Sequence, residues 1–140
     1  MPIDIEFDKA QVDAIKENFR KIQDRIKHGK PFFQRSAIRM HRGVMQHFSD
    51  EMGSTGAWAP LQKERKRGGS KVLQDTGILR ASVRFQGEDD NARVHTDLVY
   101  AARHNDGHGA TPRREFMWMS PELRKSIMGD MAVWISDGRL

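Results

Sequence analysis

"SVRFQGEDDNARVHT", residues 82–96, decides the fold class. Two short alternating segments, "SVRFQ" and "ARVHT", flank "GEDDN", whose polar residues favour a turn. That pattern predicts a small antiparallel hairpin. "EFMWMS", residues 115–120, reads as a third candidate strand. Segments with helical periodicity lie on both sides. The sequence therefore predicts an α+β domain: an N-terminal helical hairpin, a small antiparallel β-sheet and a C-terminal helix.

Upstream, "IDIEF" alternates Ile3, Ile5 and Phe7 with acids and predicts a short strand with one buried face. Asp8 then reads as an N-cap, with Gln11 completing a capping box and Phe7 and Val12 at staple positions. Val12, Ile15, Phe19, Ile22 and Ile26 follow at spacings of 3, 4, 3 and 4, a narrow apolar stripe on a long amphipathic helix ended by Gly29 and Pro31. A second helix is predicted over about 32–52, with Phe33, Ala37, Met40, Val44 and Phe48 as its stripe, Gly43 as a weak point and Gly53 as its stop. The run is too short, and the break at Gly29 too clear, for an isolated coiled coil. The stripes are expected to pack into a core. Ser120 caps the last helix, with Pro121 and Glu122 in its first turn and Leu123, Ile127, Met131 and Trp134 as its buried stripe.

A chain of 140 residues suits one domain, here 1–140. It has no cysteine, which excludes disulfides and thiolate metal sites and points to a reducing compartment. No run approaches the ~18 apolar residues of a membrane span. The opening "MPIDIEFDKA" is acidic and lacks a signal-peptide core. Cytoplasmic synthesis without a membrane partner is the expectation. With 24 basic and 19 acidic residues, the net charge of +5 favours polyanionic partners, nucleic acid or an acidic protein surface.

From about 53 to 72 the periodicity is lost, and a long exposed loop is expected, anchored near Trp58 and Leu61. Lys63, Arg65, Lys66, Arg67 and Lys71 face only Glu64. Such a run contacts phosphates or an acidic surface, or is simply solvated. It lacks the aromatic residues that stack bases, and it lacks the spacing of a phosphate-binding P-loop. Together with Arg80 and Arg84 it defines one alternative reading, a nucleic-acid-binding module.

"VLQDTGILRASVRF", residues 72–85, contains an Asp-Thr-Gly. An aspartic protease needs two such aspartates sharing a proton, and this chain has one copy without apolar strand flanks. The better reading has Asp75 or Thr76 capping a short helical turn, Gly77 permitting close packing, and Ile78 and Leu79 pointing into the core. "RHNDGHG" offers His104, Asp106 and His108 as ligands for a divalent metal, which would suit a nuclease. Imidazoles four apart in a glycine-rich turn lack the fixed geometry of a closed site. A polar turn is the plainer reading.

Taken in order, four stretches resemble the phage virion morphogenesis family of Mu-like tail-completion proteins. In "GSTGAWAPL", Gly53, Gly56, Trp58, Pro60 and Leu61 match a Gly-rich turn followed by Trp-x-Pro-Leu. In "LQDTGILRAS", Leu73, Thr76, Gly77, Leu79, Arg80 and Ser82 match a Leu-x-x-Thr-Gly-x-Leu-x-x-Ser element. Tyr100, Ala101, His104 and Gly107 match Tyr-Ala-x-x-His-x-x-Gly, and Pro112, Arg114 and Phe116 match Pro-x-Arg-x-Phe. The resemblance implies a structural, non-enzymatic protein of the virion, assembled in the host cytoplasm without a cofactor. It implies a role in finishing the tail or joining head to tail. It also implies homo-oligomeric rings, often hexameric, that meet other neck or tail proteins. The basic loop would then reach a neighbour or line the channel and touch packaged DNA without reading its sequence. Arg114 is expected at the rim of the sheet, paired with an acid or a neighbouring subunit, with Phe116 and Trp118 buried.

Overall fold

A computed structural model describes residues 4–6, 8–63 and 71–140. Its helices are α1 (Lys9–Lys27), α2 (Lys30–Asp50), α3 (Ile78–Ser82), α4 (Ala101–Asp106) and α5 (Pro121–Asp137). Its strands are β1 (Met52–Gly53), β2 (Gly56–Ala57), β3 (Arg84–Gly87) and β4 (Ala92–His95). The α+β class holds, with two N-terminal helices, two small antiparallel sheets and a C-terminal helix.

The predicted hairpin is β3–β4, in register from Arg84 opposite His95 to Gly87 opposite Ala92. Its turn closes with Glu88 N donating to Asn91 O at 2.9 Å. The hairpin lies across α2. Gly87 makes this possible, because a Cβ there would stand 2.2 Å from the backbone N of Gln34. Gln34 in turn accepts from Gly87 N at 2.9 Å. The core gathers between α2 and the segments that follow it: Val44, Phe48, Trp58, Val72, Leu79, Val83, Ala101 and Phe116. On α2 the buried face is Phe32, Ser36, Ala37, Val44 and Phe48, so Phe32 replaces Phe33 and Met40 in the predicted stripe. Phe32 stacks on Trp134 of α5 at 5.3 Å, which seats the closing helix.

The caps follow the sequence. Asp8 and Gln11 form both bonds of the capping box, and Ser120 accepts from Leu123 N. Pro31 does not end α1. It occupies the first turn of α2, where its missing N–H costs nothing.

Three expectations are corrected. Residues 4–6 form no strand, and Ile5 is 98% exposed, because no described strand lies beside it to supply ladder partners. Phe7, the expected staple partner of Val12, lies outside the described residues. Residues 115–120 form no strand either, since the amides of Phe116 and Met117 both donate to the side chain of Asn105 rather than to a ladder. Most consequential is α1, which has no buried residue. Ile15, Phe19 and Ile26 remain 45%, 62% and 58% exposed. Val12 and Ile22 are half-buried, so the rest of the stripe expected in the core is uncovered among the described residues. Near its C-terminal end α1 is held by Arg25, whose guanidinium donates to the carbonyls of Ile135 and Ser136, each at 2.7 Å. Among the described residues, no helix is long and apolar enough to cross a membrane.

Candidate functional site

The four sequence motifs converge on the C-terminal end of α2. Phe48 and Phe116 are fully buried with ring centroids 5.1 Å apart, and Trp58 meets Phe48 edge-on at 5.7 Å. Trp58 Nε1 donates to the carbonyl of Glu115 at 2.9 Å, so this tryptophan anchors its loop as predicted. Leu61 packs partly buried against the same core. The loop is less open than expected at its start, where β1 and β2 form a minimal hairpin pairing Met52 with Ala57.

Arg114 departs from the expected rim position. It is only 8% exposed, and its Nε and Nη2 donate to the carbonyls of Ala59 and Pro60 at 2.9 and 3.0 Å. The physical reason is that residues 58–61 have no regular secondary structure to satisfy these carbonyls. A guanidinium can take both with one rigid fork, in charge-assisted bonds. Its backbone N also donates to His104 O at 2.8 Å, tying the fourth motif to the third.

The second motif binds the end of α2. Gln74 Nε2 donates to Phe48 O at 2.8 Å, and Arg80 Nη1 donates to Gln74 Oε1 at 3.2 Å. Thr76 Oγ1 accepts from Ile78 N at 3.4 Å where α3 begins. Gly77 has a φ of 73° with open space where a Cβ would lie. It is needed for its left-handed backbone and not, as expected, for close packing. Leu79 is buried as predicted, but Ile78 turns outward and is mostly exposed. Ser82 Oγ donates to Leu79 O at 2.7 Å and lies 2.6 Å from Thr96 Oγ1, which fastens α3 to the strand beyond it. Asp75 is exposed at the mouth of this turn.

The third motif is α4 and its end. Ala101 is buried, and Gly107 adopts a φ of 76° with Arg113 N 2.9 Å from where a Cβ would be. Asn105, which the sequence did not single out, accepts from Phe116 N and Met117 N at 3.1 and 2.9 Å. An Asn close to the end of a short helical turn beside a buried segment was the available signal. Tyr100, His104 and Arg114 join Leu73, Thr76 and Leu79 around a cavity of about 260 Å³. Burial, then the nearby Arg114 and Arg103, lowers the His104 pKa below its usual 6.5, which favours a neutral ring. Pro112 is half-buried just ahead of this junction.

The proposed metal ligands are not brought together. His104 faces the cavity, Asp106 accepts from Asn105 Nδ2 at the end of α4, and His108 pairs with Thr111 in an isolated bridge. Among the described residues no group of three or more such side chains is placed to hold a metal ion. In the basic loop, Arg65, Lys66 and Arg67 lie outside the described residues, as does Glu64. Lys63 and Lys71 flank them. Lys71 is engaged with the fold, its Nζ donating to Ser49 O at 2.8 Å, where the C-terminus of α2 favours a cation. Arg84 is exposed on β3.

The motif residues thus form one connected joint. Its aromatic centre and its side-chain bonds to backbone hold three irregular segments against the end of α2. The chain belongs to the phage virion morphogenesis family, whose model matches residues 10–136. A role in phage virion assembly goes with that membership. Among curated proteins, the chain is 29% identical over 136 residues to "Mu-like prophage FluMu G protein 2" of Haemophilus influenzae, covering 92% of this chain and 93% of that protein. No solved structure matches it.

Proposed function

We propose that this chain is a non-enzymatic structural protein that completes the tail or joins head to tail, working as a homo-oligomeric ring within the virion. The observation that carries the reading is α1, an amphipathic helix on whose apolar stripe Ile15, Phe19 and Ile26 have no cover among the described residues. An unpartnered stripe of this kind marks a protein–protein interface. Its family and its prophage relative supply the setting. The partners are further copies of itself, other neck or tail proteins, and packaged DNA met through the basic loop. The polar groups of the motifs support the absence of catalysis, since Arg114, Gln74 and Asn105 are committed to backbone atoms.

Light scattering across a concentration series tests the ring. A monomer at every concentration overturns it. DNA binding that carries the function would weaken steeply with salt, and divalent-metal-dependent DNA cleavage by the pure protein would replace this reading with a nuclease. Substituting Ser or Gln for Lys63, Arg65, Lys66 and Arg67 should leave the melting temperature unchanged while impairing particle completion. Full plaque formation by that variant removes the loop from the function.

A further inference from the structure

Between α2 and the end of α5 lies a cavity of about 380 Å³ that none of the four motifs uses. Its apolar lining is Phe32, Val133 and Leu140. Phe32 is buried, while Val133 and Leu140 are 43% and 53% exposed, so the apolar surface is open to a visitor. Its polar lining includes Arg35, Arg39 and Arg139, with Asp130 as the carboxylate among the lining residues. Asp130 is taken by Arg39, which also reaches Ser126 at 2.7 Å. Arg139 pairs with Asp137. Arg35 is exposed on α2 and makes no ion pair among the described residues. The cavity therefore presents an apolar floor under an excess of positive charge, which suits an apolar side chain flanked by acids.

The chain itself carries such a segment. Asp4-Ile5-Glu6 has no regular secondary structure, is exposed and makes no hydrogen bond among the described residues, and Ile5 is the most exposed large apolar side chain described. α1 determines where it can go. Arg25 fixes that helix to the end of α5, within a turn of the cavity's own lining. From Arg25 to Lys9 the helix runs ~24 Å at 1.5 Å per residue. The helix, when formed, thus carries the acidic segment away from the cavity of its own chain and outward toward another.

We propose that Asp4-Ile5-Glu6 of one copy docks in the arginine-rimmed cavity between α2 and α5 of a second copy, with Ile5 on the apolar floor and the two carboxylates beside Arg35 and Arg139. The proposal rests on the self-assembly reading above and names its contact. The donor and acceptor surfaces differ, so the contact is heterologous and passes from copy to copy, closing into a ring when the rotation allows. The apolar face of α1 is carried across the same boundary.

The test uses the full chain in three forms: wild type, an arm variant (Ile5→Asp) and a cavity variant (Arg35→Glu with Arg139→Glu). All the altered side chains are exposed, and circular dichroism should report the same helix content for each. In light scattering, wild type should form a closed oligomer. Each variant alone should need a concentration roughly tenfold higher or more to assemble, a shift equal to about 1.4 kcal/mol. An equimolar mixture of the two variants retains one intact arm and one intact cavity per pair, and should give heterodimers without larger rings. Charge reversal supplies a second arm of the test: Asp4→Lys with Glu6→Lys should fail alone and recover when placed in the cavity variant. If wild type assembles and neither variant changes the assembly, the docking is wrong while the ring stands. If only the arm variant fails, the arm seats elsewhere and this cavity is excluded. If wild type is monomeric throughout, both the docking and the ring fall.

Discussion

Replacing Arg114 by Met keeps most of the side-chain volume and deletes the fork to Ala59 and Pro60. Hydrogen bonds to charged groups contribute about 1.5–3 kcal/mol each, so the two together could supply about 3–6 kcal/mol. Against this stands the desolvation of a guanidinium that is 8% exposed, a cost of several kcal/mol that Met removes. The carbonyls left behind tip the balance, because an unsatisfied buried acceptor costs about 1–3 kcal/mol. The expected net loss is about 2–4 kcal/mol. In a urea titration followed by tryptophan fluorescence, at a slope of about 2 kcal/mol per molar, ordinary for a small protein, the midpoint should fall by about 1–2 M. Trp58 is a local reporter, since its ring nitrogen bonds to the next residue's carbonyl. Arg113→Met is the control. That neighbour is exposed and pairs with Glu115 at 3.0 Å, so its loss should cost no more than about 1 kcal/mol. Equal midpoints for the two variants would refute the argument that Arg114 holds the loop through its guanidinium.

Phe116→Ala should cost about 3–5 kcal/mol, because the ring is fully buried against Phe48, and calorimetry that finds an unchanged midpoint would contradict the shared core. Gly87→Ala should cost about 3 kcal/mol or more, since the new Cβ meets rigid helix backbone that has no room to yield, and urea denaturation reads this directly. Stability should fall with acid in two windows. His104, with its pKa lowered by burial, contributes fully above pH 6.5 and loses that contribution as the pH drops below 6.5 toward its folded value, so His104→Gln should flatten this part of the curve. Glu115, held below its usual 4.5 chiefly by the Ser54 hydroxyl, contributes fully above pH 4.5 and loses that contribution as the pH falls through its folded value, so Ser54→Ala should flatten only this lower part.

The sequence was readable where local chemistry is sufficient. Asp8 with Gln11 and Ser120 with Leu123 cap helices using atoms three residues apart, and the β3–β4 hairpin is written in its own turn. The joint was readable as a set of residues, and Trp58 as an anchor, but not as a wiring pattern. Arg114 was placed at the rim because alternation describes a strand, and residues 115–120 are not one. What fixes them is Asn105, about ten residues away, whose amide oxygen takes two backbone donors that a strand would have needed. The stripe of α1 shows the other limit. Spacing of 3 and 4 identifies an apolar face and says nothing of what covers it. The prediction of core packing failed there because no described residue covers Ile15, Phe19 or Ile26.

The attachment of α1 has a consequence for how the free chain melts. A helix of 19 residues with no buried side chain draws little stability from the rest of the body. Trp58 and Trp134 are buried in that body, and Trp118 is stacked on His47 within it. Fluorescence should therefore report one sharp transition of the body, while circular dichroism at helical wavelengths should begin to lose signal at lower temperature as α1 unwinds by itself. The two probes should disagree for dilute protein and coincide once copies are associated, so their agreement would serve as a spectroscopic measure of whether α1 has found its cover.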